Sequence, residues 1–267
     1  MTLSATQSLG RNNKKWAVAS AFSRAAHHYD RHAAFQREVG DRLMAKLPVD
    51  LSGLHILDLG CGTGYFSAQL RERGAHVVCV DLAKEMLAQA QKRCGCDEMT
   101  YCEADAEALP FPENSFDYVF SSLALQWCDE LYRPLKEIRR VLKNNGKGFF
   151  STLVDGSLYE LSQAWASVDA YQHINQFLSV NAVKVALAQA DISEVTLEFD
   201  SITVWYDTAM GLMKDLKGIG ANHVPGRANR TISKQVLSQV EESYQCFRDP
   251  NGLLPATYQV CLGVILR

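Results

Sequence analysis

Three glycines at alternate positions, Gly60, Gly62 and Gly64, follow the apolar run Ile56-Leu-Asp-Leu59 and lead into Tyr65 and Phe66 at the head of a helical pattern. Glycines in such a turn allow a tight reversal and close approach of a ligand to the backbone, and the N–H groups opening the next helix can face that ligand. The chemistry this serves is the holding of a nucleoside-containing cofactor. Asp58, at the strand end, narrows the choice. A carboxylate pointing into the site repels a pyrophosphate but can pair with the ammonium of a methionyl group, which favours S-adenosylmethionine.

A second carboxylate stands where the adenosine end needs it. His76-Val-Val-Cys-Val-Asp81 is another apolar strand, and its Asp81 lies at the position from which nucleotide-binding α/β folds accept from ribose hydroxyls. Cys102-Glu-Ala-Asp105-Ala-Glu reads as a strand end and a loop that offers the Asp105 side chain to an adenine amino group and the Ala106 N–H to the ring. A lone Gly-x-Gly-x-Gly is a weak signal, whereas the turn followed in order by Asp81 and Asp105 is a strong one. The plain alternative is three ordinary turns rich in Gly and Asp.

These residues need a sheet to carry them. Between residues 54 and 153 apolar strands alternate with helical patterns, the signature of a parallel sheet in a Rossmann-like α/β fold. Ahead of it, residues 1–14 are polar and expected to fray, and Phe22, Ala25, Ala26, Tyr29, Ala33, Val39, Leu43 and Leu47 recur at helical steps, predicting an N-terminal cap of one or two helices over 17–47. Residues 157–190 and 208–248 read as helical, with a Gly/Pro-rich interruption at Gly218–Gly226, and residues 195–204 alternate like a strand. A final strand is predicted over 256–266. The expected architecture is one methyl-donor-binding unit over 1–267, with the core at 54–153 and a late helical lid at 155–248 that roofs the cofactor and selects the substrate.

The 267 residues are 47% hydrophobic, with net charge -3 and pI near 6.2, which gives no general reason to expect nucleic acid or an anionic membrane as partner. No apolar run suits a membrane span or a signal peptide, so the expectation is a cytoplasmic protein with its eight cysteines reduced. Cys94, Cys96 and Cys102 have poor zinc spacing, and His28 and His32 lack a third ligand nearby, so no metal is expected.

The glycine turn, Asp81, Asp105 and the segment Asn114-Ser-Phe-Asp-Tyr-Val-Phe-Ser-Ser-Leu-Ala-Leu-Gln-Trp127 together resemble the class I S-adenosylmethionine-dependent methyltransferases. A more specific resemblance spans nearly the whole chain. Ala21-Phe-Ser-Arg-Ala-Ala-His-His-Tyr-Asp-Arg-His-Ala-Ala-Phe-Gln36, Phe150–Phe177, Leu216–Asn222 and Pro255-Ala-Thr-Tyr-Gln-Val260 are similar to the malonyl-acyl-carrier-protein O-methyltransferases of biotin synthesis. The resemblance implies methylation of the free carboxylate of a malonyl thioester. It also marks Tyr29, in the Tyr-Asp pair of the family motif, as the residue that closes the N-terminal side, with helix packing as its bland alternative. Lys143-Asn-Asn-Gly146 departs from the Pro-Gly-Gly of many methyltransferases, a turn change that Asn tolerates.

A carboxylate is ionised at neutral pH, so attack on the methyl group needs no general base, and the sequence shows no catalytic dyad. Acyl carrier proteins are strongly acidic, and a helix over 130–143 would array Arg133, Lys136, Arg139, Arg140 and Lys143 opposite Leu131, Leu135, Ile138 and Leu142. Arg133, Lys136 and Arg140 are the expected docking residues, with an ordinary solvated face as the competing reading; Lys214, Lys217, Arg227 and Arg230 form a second cluster. The other activities open to this sequence are methylation of a small metabolite or quinone precursor and, on the same fold, non-catalytic cofactor binding.

Overall fold

The computed structural model describes residues 5–221 and 233–267. Arg227, Arg230 and the stretch from Asn222 to Gly226 lie outside the described residues.

The strands are β1 (His55–Leu59), β2 (His76–Asp81), β3 (Met99–Glu103), β4 (Phe116–Ser122), β5 (Leu142–Val154), β6 (Val195–Tyr206) and β7 (Leu254–Leu266). They form one sheet in the order β3-β2-β1-β4-β5-β7-β6. The first five run parallel, and β7 inserts antiparallel between β5 and β6. The order reverses between β1 and β4, and ligands of open α/β sheets bind in the crevice beyond the strand ends at such a point. The glycine turn follows β1 and the segment Leu123–Trp127 follows β4, so both border that crevice.

Alternation along the strands supplies two cores. Ile56, Val77, Phe120 and Phe149 face one side with Val39 and Leu43, whereas Leu57, Val80, Val119 and Phe150 face the other with Leu135 and Ile138. The helices sort accordingly. On the first side lie α3 (Ala34–Met44), α4 (Tyr65–Glu72), α7 (Tyr159–Ala166), α9 (Ala209–Gly218) and α10 (Lys234–Tyr244); on the second lie α6 (Tyr132–Val141) and α8 (Val180–Gln189). On α6, Leu135, Ile138 and Val141 are buried at helical spacing, each stabilising the fold by about 1.5–3 kcal/mol.

Several sequence expectations need correction. Helix α1 spans Ala5–Ala25, so residues 5–14 are helical rather than frayed. The cap then breaks twice, giving a short α2 (Tyr29–His32) before α3. Helix α5 (Lys84–Cys94) links β2 to β3, but β3 reaches β4 through residues 104–115 with no helix. Residues 167–179, read as helical, connect α7 and α8 without helix. Finally, α6 ends at Val141, because Leu142 turns to extended backbone (ψ 140°), and Lys143 belongs to β5 rather than to the basic helix. Near the start of β5, where the pairing with β4 passes from Leu142 to Lys147, Asn145 has φ 65°, a left-handed conformation that Asn adopts more easily than most residues.

Candidate active site

The glycine turn is built by backbone hydrogen bonds to the neighbouring strand. Gly60 and Cys61 N–H both donate to Val80 O, at 2.7 and 3.0 Å. Gly60 has φ 76°, and a Cβ there would stand 2.3 Å from Ala124 Cβ, so only glycine lets the β1 and β4 loops meet. A Cβ on Gly62 would meet nothing within 4 Å, because this residue faces open space in the crevice.

Asp81 ties the turn together. One of its oxygens accepts from Gly62 N–H at 2.9 Å and the other from Ala83 N–H at 2.8 Å, and each retains capacity for a further donor. Burial pushes its carboxyl up to about 6 against these backbone hydrogen bonds. Asp58 is 2% exposed and accepts from Ser67 Oγ at 2.5 Å. Burial pushes its carboxyl up to about 7; the Ser67 bond opposes the shift and the Asp81 charge adds to it.

Two adjoining hollows share Tyr29, Gly60, Gly62 and Ser122. One is lined by Asp81, Ala83, Met86, Asp105, Ala106 and Trp127, the other by Asp58, Asp30, Thr63, Gln36 and Phe120. Their carboxylates suit the two polar ends of an adenosyl-methionyl ligand. Asp105, expected to face the adenine amino group, is already held in place. Its side chain accepts from Lys15 Nζ at 2.7 Å and from Glu107 N–H at 2.9 Å, so the loop is pinned to α1. Lys15 also reaches Glu107 at 2.8 Å; these hydrogen bonds outweigh burial and raise its pKa.

Tyr29 opens α2 and lines both hollows and a third, larger chamber of about 560 Å³. Burial, with help from Asp81 and Asp30, raises its hydroxyl far above the ordinary value, so it stays a proton donor. Its neighbour Asp30 fastens the cap to the turn: it accepts from Thr63 Oγ1 at 2.7 Å and pairs with Arg93. Arg37 and Arg93 also lie over the Tyr65 ring, 5.8 and 5.7 Å from its centroid.

The chamber is roofed by α7, α9 and α10 residues such as Leu161, Trp165, Met213 and Leu237, and Lys214 and Lys217 also line it. It meets the hollow lined by Asp81 at Phe22, Tyr29, Leu123 and Trp127, and the hollow lined by Asp58 at Tyr29 and Gln36. It is also lined by His173, one member of a pair the sequence reading missed; the other, Asp169, lies in an adjoining cleft. His173 Nε2 lies 2.8 Å from one oxygen of Asp169 and 3.0 Å from the other, and the ring stacks on Trp165 with centroids 3.6 Å apart. The Asp-x-x-x-His spacing was the available signal. His32 Nδ1 pairs with Asp215 at 2.7 Å, joining α2 to α9, and no group of three metal-binding side chains occurs among the described residues.

The docking stripe changes character. Arg133 pairs with Glu130 at 2.7 Å, and Arg140 pairs with Glu137 at 2.7 Å while donating to Leu109 O and Phe111 O. Lys143 pairs with Asp117 at 2.8 Å. Each guanidinium sits beside a carboxylate three residues back, so Arg133 and Arg140 are not free charges, and the exposed cations of α6 are Lys136 and Arg139.

This sheet order, with a glycine turn and an acidic β2 end at the switch point, defines a class I S-adenosylmethionine-dependent methyltransferase. Residues 57–150 match the family model described as "Methyltransferase domain". A solved Bacillus subtilis protein, YcgJ, superposes with a TM-score of 0.59 at 18% identity, covering 86% of this chain and 98% of that one, which supports the fold alone. The malonyl-[acyl-carrier protein] O-methyltransferase of Serratia marcescens is 43% identical over 95% of this chain and 96% of its own length. That of Pectobacterium atrosepticum is 41% identical over 97% and 99%. The chain belongs to the malonyl-[acyl-carrier protein] O-methyltransferase family.

Proposed function

We propose that this enzyme transfers the methyl group of S-adenosylmethionine to the free carboxylate of a malonyl group held as a thioester on acyl carrier protein, the substrate its relatives' names state for those proteins. The observation that carries the reading is the largely apolar chamber meeting the cofactor hollows at Tyr29. A carboxylate oxygen attacks the methyl carbon, the carbon–sulfur bond breaks, and sulfur keeps the electron pair. No proton moves. The anion and the sulfonium cancel as they react, so an enclosed, water-poor site favours the transition state.

The residues divide the work. Asp81 accepts from the ribose hydroxyls and Asp58 pairs with the methionyl ammonium. The Ala106 N–H and the Asp105 loop, pinned by Lys15, border the adenine. Tyr29, held protonated, donates to the carboxylate or to the bound cofactor and closes the cap, while Lys214 and Lys217 make the chamber attractive to an anion. The test is transfer of labelled methyl from S-adenosylmethionine to malonyl-carrier protein, malonyl-coenzyme A, free malonate and quinone precursors. Label on a quinone precursor and on neither thioester would refute the reading.

The carrier protein is proposed to be steered by Lys136 and Arg139 rather than by the whole stripe. Exposed rim contacts contribute only about 0.2–1 kcal/mol each, so Lys136→Glu with Arg139→Glu should lower kcat/KM for malonyl-carrier protein by about twofold to thirtyfold. Malonyl-pantetheine should be unaffected, and the loss should shrink as salt rises. Equal losses on both substrates would assign the pair to folding, and no loss would leave α6 a solvated face.

A further inference from the structure

The large chamber contains buried polar atoms that lack a hydrogen-bond partner among the described residues: Gln36 Oε1, Gln126 Oε1 and His173 Nδ1. Gln36 also lines the hollow with Asp58 and so belongs to the reacting end. The other two are acceptors. Gln126 donates its amide nitrogen to Leu123 O at 2.8 Å, which identifies the unpaired atom as oxygen. The His173 side chain is only 7% exposed, and Asp169, which can only accept when ionised, takes the hydrogen on Nε2. In the neutral ring this leaves a lone pair on Nδ1.

Buried acceptors are costly to leave unpaired, so a ligand that fills this chamber should bring N–H donors to them. Their location suggests which ligand. The chamber shares Trp165, His173, Ile174, Asn175 and Phe177 with an outer cleft lined by the exposed Tyr159 and Tyr171. None of these borders the cofactor hollows, so His173 stands at the outward end of the chamber. An acyl group presented on a long arm and entering through this cleft passes this end on its way to the methyl donor. A pantetheine arm carries two secondary amides and hence two N–H donors.

Building on the thioester reading above, we infer that His173 Nδ1 and Gln126 Oε1 accept amide N–H groups of the pantetheine arm, so that the enzyme selects an acyl group by its carrier. Asp169 and the Trp165 stack orient the imidazole. Free malonate has no N–H to offer and gains nothing from either acceptor.

The experiment compares malonyl-pantetheine with a malonyl S-butyl thioester, which has no amide. His173→Phe keeps a ring on Trp165 but removes the acceptor, and it should raise KM for malonyl-pantetheine about tenfold with kcat little changed. The S-butyl thioester should be unaffected. His173→Asn, whose side-chain oxygen can lie near the Nδ1 position, should recover most of the loss, and Gln126→Leu should repeat the selective effect. Equal losses on both thioesters, or none on malonyl-pantetheine, would overturn the inference. If the wild type methylates neither thioester and malonyl-carrier protein is not methylated either, the malonyl-thioester reading falls instead. Calorimetric binding of pantetheine itself then decides the amide contacts, and equal affinity in wild type and His173→Phe would overturn them.

Discussion

Asp81→Ala raises the dissociation constant for S-adenosylmethionine by about 5- to 150-fold, the equivalent of roughly 1–3 kcal/mol for removing a buried acceptor. Two effects combine. The ribose hydroxyls lose their partner, and Gly62 and Ala83 N–H, at 2.9 and 2.8 Å from the carboxylate, lose the group that ties β1's turn to β2's. Asp81→Asn separates them, because its single oxygen can hold one backbone N–H while its NH₂ opposes the other. Asn should therefore bind better than Ala but worse than Asp. Calorimetry on variants whose melting shows an intact fold measures this. Unchanged affinity in folded Asp81→Ala would mean that the carboxylate serves the turn alone.

That result tests the part of the site most legible in the sequence. Strand, glycine turn and acidic strand end are local features, each confined to a few residues, and the parallel core followed from them. What the sequence hid are pairings over distance. Asp30 stood in a visible motif, but its partners Thr63 and Arg93 are 33 and 63 positions away. Lys15 was read as lying just beyond a fraying tail, yet it reaches 90 positions to Asp105. Asp169 and His173 lie in a stretch whose composition suggested helix; tertiary packing overrode the propensity, and the two side chains meet in a connection between helices. The basic stripe misled for a related reason. Periodicity grouped the cations of α6 correctly but said nothing of Glu130 and Glu137, which neutralise two of them.

The second large effect concerns pH. In the ligand-free protein, burial pushes Asp58 up to about 7 and Asp81 up to about 6. A cationic methionyl group pairs only with ionised Asp58, so binding lowers that carboxyl's pKa and expels a proton wherever the free site is protonated. Affinity for S-adenosylmethionine should thus be nearly constant just above pH 7 and weaken toward about tenfold per pH unit below it, steepening further as Asp81 protonates near 6. Stability of the ligand-free protein moves the other way. A carboxyl raised above its unfolded value holds its proton more tightly when folded, so its contribution is complete below the unfolded pKa of about 3.9 and is lost as pH rises through about 7. Opposed trends distinguish linkage at the site from acid damage to the fold. Calorimetry between pH 5.5 and 7.5, in buffers of different ionisation enthalpy, should show proton release on binding, and Asp58→Asn should remove most of it. At saturation the transfer rate should stay flat over the same range, because the malonyl carboxylate is already ionised and no base takes part. An affinity that ignores pH, or a slope that survives in Asp58→Asn, would show that Asp58 does not meet the ammonium. A saturated rate that rises through one ionisation would count against carboxylate methylation.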